Sequence, residues 1–72
     1  MTEMERKFRI KEVRKSIFKE RNAEEYYALM GRVTHRAEFA ALYSNMADRR
    51  YGRQKSLRRE LVRLQAMVPM VA

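Results

Sequence analysis

The chain has 72 residues, with 17 Lys or Arg against nine Asp or Glu and no Cys. This length allows one small domain with a thin apolar core, and the lack of Cys excludes disulfide bonds and thiolate metal sites. No stretch is apolar over the roughly 18 residues that span a bilayer, and the segment MTEMERKFRIKE lacks the apolar core of a secretory signal, so we expect a soluble, cytoplasmic protein with no membrane partner.

The first predicted element is a helix in the basic N-terminal segment. Thr2 followed by Glu5 forms a capping-box pattern, which favours a helix start near Glu3. The apolar residues of this helix fall on two different faces: Ile10, Val13 and Ile17 on one, and Met4, Phe8 and Phe18 on another. The alternation in RKFRIK also allows a short strand over residues 6–11, and of the two we predict the helix.

The middle of the chain contains signals for a helical hairpin. Asn22 followed by Glu25 repeats the capping-box pattern, and Gly31 lies where a left-handed C-cap residue would end a helix. Thr34 is the next N-cap candidate. After it, apolar residues at helical spacing predict an amphipathic core helix: Phe39, Leu42, Tyr43 and Met46.

The last segment has a short heptad-like apolar stripe, made of Leu57, Leu61, Leu64 and Val68. Asp48 could cap a separate helix, or the preceding helix could continue through Gly52, and Pro69 should end the last helix. Two heptads are too few to define a coiled coil, so the stripe predicts packing inside a bundle, with a dimer seam as the alternative.

These signals together predict an all-α single domain over residues 1–72. We expect a small bundle of three to four helices, in which basic segments at residues 1–21 and 48–68 flank a neutral core hairpin at residues 22–47. Association is a common way for so small a scaffold to enlarge its core, so we also expect that it could be dimeric.

The positive charge is unevenly distributed along the chain. Residues 1–21 have a net charge of +4 and residues 48–72 have +5, whereas residues 22–47 have −1. Two basic flanks around a neutral centre predict a surface that meets anions, most commonly nucleic acid. The alternative is that these charges only solvate the outer faces of amphipathic helices.

Candidate contact residues come from both basic segments. Arg predominates in the second segment, and its planar guanidinium suits bidentate phosphate contacts. The candidates are Arg49, Arg50, Arg53, Arg58 and Arg59, with Arg9, Arg14 and Lys15 as a second set. On one helix, Arg49 and Arg53 could share a face with either Arg59 or Arg63. Nucleic acid, or an assembly bound to it, is the predicted partner.

The tyrosines and leucines support a second interpretation. Tyr51 lies among the arginines, where its ring could stack on an exposed base. Tyr26 and Tyr27 are predicted to be half-buried core residues, but an exposed pair would mark a partner surface. The protein would then be an adaptor or inhibitor that docks on an acidic surface of a larger complex, using Tyr26, Tyr27, Tyr51, Leu57, Leu61 and Leu64.

Catalysis and metal binding are not predicted. The single His, His35, is expected to be a solvated residue at a helix start, and no Ser lies in a Gly-flanked nucleophile motif. Glu24 and Glu25 are adjacent, so on a helix they point in different directions and do not form a pair of acids. We therefore expect a protein that is not an enzyme and has no cofactor and no metal.

Three stretches resemble parts of small-protein families. YYALMGRVTHRAEFAALY is similar to a tetratricopeptide-type hairpin with Gly31 at the turn, and EFAALYSNMADRR resembles the haemolysin-expression-modulator family. FRIK followed by two helices is similar in outline to ribbon-helix-helix repressors. Each resemblance covers a quarter to a half of the chain without a discriminating motif, so no family is assigned. They share an implied role as small regulators of gene expression.

Overall fold

The computed structural model describes residues 1–67, and these form two long helices joined by a short turn. Helix α1 is Glu3–Val33 and helix α2 is Ala37–Ala66. The helices are antiparallel and pack side by side in a rod whose Cα atoms extend over 61 × 14 × 11 Å. The all-α prediction is confirmed, but the described residues form a hairpin of two helices rather than a bundle of three or four. Neither of these helices has an apolar stretch long enough to cross a membrane.

The start of α1 lies where the sequence predicted it. Thr2 caps the helix, because its Oγ1 accepts a hydrogen bond from the backbone N–H of Glu5 at 3.1 Å. Glu3 and Glu5 place negative charge in the first turn, where the helix dipole favours it. Residues 6–11 continue this helix, so they do not form the strand that the alternative interpretation and a ribbon-helix-helix fold require.

Two predicted helix boundaries in the middle of the chain are wrong. Asn22 lies inside α1, and so does Gly31, whose φ is negative rather than left-handed. Asp48 begins no new helix, and the alternative of one helix continuing through Gly52 is the arrangement observed. A capping pattern satisfies only the few free N–H groups of a helix start. An unbroken helix keeps its backbone hydrogen bonds and its contacts with the neighbouring helix.

The connection between the helices is made by Thr34, His35 and Arg36. The prediction that Thr34 caps the second helix is wrong, because its backbone N–H donates to the carbonyl of Met30 at 3.1 Å and ends α1. Its Oγ1 accepts a hydrogen bond from the N–H of Arg36 at 3.4 Å, and Arg36 begins α2 without a side-chain cap. His35 is exposed in this turn.

Inward-facing residues recur at alternating steps of four and three on both helices, which is the spacing of a coiled-coil seam. None of the residues at these positions is exposed: Arg6, Ile10, Val13, Ile17, Glu20, Glu24, Tyr27 and Gly31 on α1, and Ala40, Tyr43, Ala47, Arg50, Gln54, Leu57, Leu61 and Leu64 on α2. Val13 and Leu64 are covered almost completely, with 1% and 6% of their surface exposed. We call these residues the seam.

The leucine stripe of the last segment lies on the α2 side of the seam. Its first three members are buried or half-buried against α1: Leu57, Leu61 and Leu64. These three leucines therefore pack inside the fold. The fourth member, Val68, and the predicted helix stop, Pro69, lie outside the described residues.

The helix that was predicted to form the core is only partly covered. Tyr43 and Met46 are half-buried, but Phe39 and Leu42 are exposed to 42% and 52%. The reason is the number of helices, because a neighbour on one side alone cannot cover the wide apolar face of an amphipathic helix.

Candidate anion-binding surface

The antiparallel hairpin brings the two basic segments of the chain side by side. Arg9 on α1 donates a hydrogen bond from Nε to Glu60 Oε1 on α2 at 2.8 Å. Residues 1–21, with a net charge of +4, therefore lie along residues 48–67, with a net charge of +5, while residues 22–47, with a net charge of −1, form the end with the turn. We call the first end the basic half of the hairpin.

One face of α2 in the basic half carries arginines separated by small residues. Arg49, Gly52, Ser56, Arg59 and Arg63 follow one another at three- and four-residue steps, are all exposed, and are called here the arginine strip. Two shallow depressions meet at Ser56, one reaching Arg49 and the other reaching Arg59 and Arg63. A Cβ atom at Gly52 would meet nothing within 4 Å, so this surface is open. At 1.5 Å per residue the strip is about 21 Å long.

The arginines of the strip are not neutralised within the described part of the chain. None of the three has a carboxylate within ion-pair distance there. Arg59 donates from Nε to the carbonyl of Lys55 at 3.4 Å, which leaves its terminal nitrogens available. Four acids of the basic half are bound to other cations: Glu3 to Arg6, Glu12 to Lys15, Glu20 to Arg50 and Arg53, and Glu60 to Arg9.

The other predicted arginines of α2 lie beside the strip or in the seam. Arg50 donates from Nη1 to Glu20 Oε2 at 3.1 Å, and only 33% of its side chain is exposed. This hydrogen bond raises the pKa of Arg50, so its positive charge is held in the seam. Arg53 Nη1 lies 3.6 Å from the same carboxylate but remains 63% exposed, and the exposed Arg58 reaches Gln54 Oε1 at 3.5 Å. Four of the five arginines predicted on α2 therefore lie on the surface of the hairpin, whereas Arg50 lies in the seam.

A polar layer lies in the middle of the seam. Gln54 is only 1% exposed, and its Nε2 donates to Glu24 Oε1 at 2.8 Å. No buried side-chain nitrogen or oxygen in residues 1–67 lacks a hydrogen-bond partner. Glu20, Glu24 and Gln54 were not predicted to be inward-facing, because only apolar residues were assigned to the core. The signal that identifies them is their four-and-three spacing relative to Val13 and Leu57.

The second predicted contact set is divided between two sides of α1. Arg14 and Lys15 line a shallow groove whose lining residues include no Asp or Glu, although Arg6 is paired with Glu3 beside it. We call these residues the α1 groove: Arg6, Lys7, Ile10, Lys11, Arg14, Lys15 and Gln65. Lys15 also lies 3.9 Å from Glu12. Arg9 does not line this groove, because its guanidinium is bound to Glu60.

The adjacent tyrosines point in different directions. Tyr27 is half-buried and stacks on Tyr43 across the seam, with 6.4 Å between ring centroids. Tyr26 is 56% exposed, and its ring is inclined at 69° to that of Tyr27, with 5.4 Å between the ring centroids. Tyr51 is 43% exposed, and Lys55 Nζ lies 4.7 Å from its ring centroid. Only Tyr26 and Tyr51 are therefore accessible to a partner.

Residues 1–67 bring together no three His, Asp or Glu side chains that could hold a metal ion. Comparisons with protein-family models, with curated proteins and with solved structures gave no match to this chain.

Proposed function

We propose that the basic half of the hairpin binds the phosphate backbone of nucleic acid and that the protein acts there as a small regulatory or accessory factor. The observation that carries this proposal is the side-by-side placement of the two basic segments, with net charges of +4 and +5. Because the arginines of the strip are not neutralised within the described residues, their charge is available to an external anion.

The dimensions of the arginine strip suit a polyanion. Double-stranded DNA carries one negative charge per ~1.7 Å of its axis, so a strip of about 21 Å lies within reach of several phosphates. Each guanidinium can bind two phosphate oxygens, and the Ser56 hydroxyl can donate to a third. The strip and the α1 groove offer mainly cationic side chains, which contact phosphates rather than base edges, so we expect binding that is nearly independent of sequence.

A salt titration tests this proposal. Phosphate contacts release condensed counterions, so log K should fall with log salt concentration by ~0.9 per contact on duplex DNA. We expect the same two effects from each of the variants Arg49→Ala, Arg59→Ala and Arg63→Ala. Binding should weaken by a similar factor on nucleic acids of unrelated sequence, and the slope of log K against log salt concentration should fall by ~1.

Arg32→Ala is the matched control. Arg32 is exposed, has no ion pair among the described residues and lies near the turn, so this variant removes the same charge from the other end of the rod. It should leave the slope unchanged. A wild-type protein that binds no nucleic acid at low salt, or strip variants that behave like the Arg32 variant, would refute the proposal.

The second candidate is an adaptor that docks on an acidic protein. It is favoured by the exposure of Tyr26 and Tyr51. Leu57, Leu61 and Leu64 pack against α1, so docking in this case would use the tyrosines and the arginine strip. This candidate predicts a saturable complex with an acidic protein and no affinity for bare DNA or RNA near physiological salt. Truncating an arginine that is buried in that complex should cost ~2–5 kcal/mol, mainly through faster dissociation.

A further inference from the structure

A second apolar stripe runs along α1 on the side turned away from α2. Its six members are between 49% and 82% exposed, and we call them the outer stripe: Met4, Phe8, Phe18, Tyr26, Leu29 and Val33. With 3.6 residues per turn, they lie within an arc of about 80°, on the opposite side of the helix from the seam. Large exposed apolar side chains gathered on one helix face often mark an interaction site.

The outer stripe has apolar residues at both of its ends and Phe18 near its centre. The remaining positions within this arc are polar, with Lys11 and Lys15 on one side of Phe18 and Asn22 on the other, and Glu25 lies at the margin of the arc. Beyond these polar positions the stripe is apolar at both ends. Reversing the stripe places the apolar residues of one end opposite those of the other end, and the lysines on one side of Phe18 opposite uncharged residues on the other side. This arrangement suits pairing of the stripe with itself around a two-fold axis.

We propose that two copies of the chain associate through the outer stripe, with their α1 helices antiparallel and the two-fold axis close to Phe18. Residues equally far from the point between positions 18 and 19 then face each other across the two copies: Met4 and Val33, Phe8 and Leu29, Lys11 and Tyr26, and Lys15 and Asn22. The Lys11 ammonium meets a tyrosine ring, and Glu25 lies beside it. A parallel pairing would instead place Lys11 and Lys15 opposite the same lysines of the other copy. Repulsion between these like charges disfavours that arrangement.

The outer stripe is large enough for a specific dimer. Three of the six side chains are aromatic, and an aromatic side chain buries roughly 150–250 Å². With exposed fractions of 49% to 82%, the six side chains together offer on the order of 600 Å² per copy. Two copies together would bury about 1,200 Å², which is the lower limit for a stable, specific interface. The arginine strip lies on α2 and stays exposed, so this association does not depend on nucleic-acid binding.

Substitutions at the centre of the outer stripe test the proposal. Sedimentation equilibrium of the wild type should give a dimer, and Phe18→Glu should raise the dissociation constant at least about tenfold while helicity by circular dichroism is retained. Val62→Glu is the matched control, because Val62 on α2 and Phe18 are both 64% exposed. The Val62 variant should remain a dimer. A wild type that stays monomeric, or a Phe18 variant that associates like the Val62 variant, overturns the proposal.

Cysteine cross-linking tests the geometry independently, since the chain has no native Cys. Phe18→Cys should form a disulfide with its own copy under mild oxidation. Phe8→Cys and Leu29→Cys should cross-link when the two variants are mixed, and neither should cross-link alone. Self-cross-linking of Phe8→Cys would show a parallel pairing, and failure of the mixed pair together with failure of Phe18→Cys would show that the outer stripe is not the interface.

Discussion

Gln54 on α2 donates a hydrogen bond to Glu24 on α1 at 2.8 Å, in the polar layer at the middle of the seam. Gln54 is only 1% exposed, and its replacement by an apolar residue removes a donor from the half-buried Glu24 carboxylate. Gln54→Leu should therefore destabilise the hairpin by ~1–3 kcal/mol, measured by urea unfolding.

The double variant Gln54→Leu with Glu24→Leu separates the hydrogen bond from packing. Replacing both polar partners by apolar residues is often neutral or stabilising, so the double variant should recover most of the loss. Glu24→Gln keeps an acceptor for Gln54 and is the control, with little expected change. If Gln54→Leu alone is as stable as the double variant, the hydrogen bond does not contribute as described.

Leu61 and Val62 are neighbours in sequence but lie on different faces of α2. Leu61 is part of the seam, whereas Val62 is 64% exposed. Leu61→Glu should destabilise the hairpin by about 2–4 kcal/mol, because it brings a charge into the apolar end of the seam, and helicity should fall. Val62→Glu should change stability by no more than ~0.5 kcal/mol. Circular dichroism during thermal unfolding measures both, and equal effects would contradict the assignment of faces.

Gly31 lies inside α1, so its replacement by Ala should stabilise the protein. A Cβ atom there would lie 3.6 Å from Tyr43 Cβ, an ordinary contact, and Ala favours helix over Gly by ~0.5–1 kcal/mol. Gly52→Ala, at an open position of the other helix, measures the helix-propensity gain without a new contact. A loss of stability for Gly31→Ala, with a gain for Gly52→Ala, would instead indicate the left-handed C-cap that the sequence predicted.

The Glu3 carboxylate makes the stability of the folded protein depend on pH in the acid range. Its hydrogen bond with Arg6, at 3.0 Å, holds the pKa of Glu3 below its ordinary value. The folded state therefore binds this proton less readily than the unfolded state, and the stabilisation is complete above the ordinary glutamate pKa of ~4.3. It is lost as the pH falls through the lower pKa of the folded state. The difference in melting temperature between wild type and Glu3→Gln should be constant near neutral pH and shrink in acid; a difference that grows in acid would contradict this sign.

The local signal at Thr2 predicted a real helix start, whereas the same pattern at Asn22 did not. A capping box is read from four residues, but whether a helix ends there depends on contacts with residues far away in sequence. Asn22 lies between Glu20 and Glu24, which bind Arg50 and Gln54 across the seam. Those contacts span thirty residues and hold α1 continuous at this point.

The number of helices was overestimated because the seam is polar at its centre. An apolar pattern read from the sequence breaks at Glu20, Glu24, Arg50 and Gln54, so two long helices resemble several short ones. The exposed arginines could be predicted from composition, since charged side chains are rarely buried. The position of Arg50 in the seam could not, because it depends on the register between the helices.

The uneven charge of the hairpin also makes it an electric dipole. Residues 1–21 and 48–67 carry +4 and +5 at one end of a rod 61 Å long, and the other end carries −1. The field of any large anion exerts a torque on such a rod and turns its basic half forward before contact. Screening limits this torque to the last ~8–10 Å at physiological salt, so the rate of association should fall as the ionic strength rises, whichever anion is the partner.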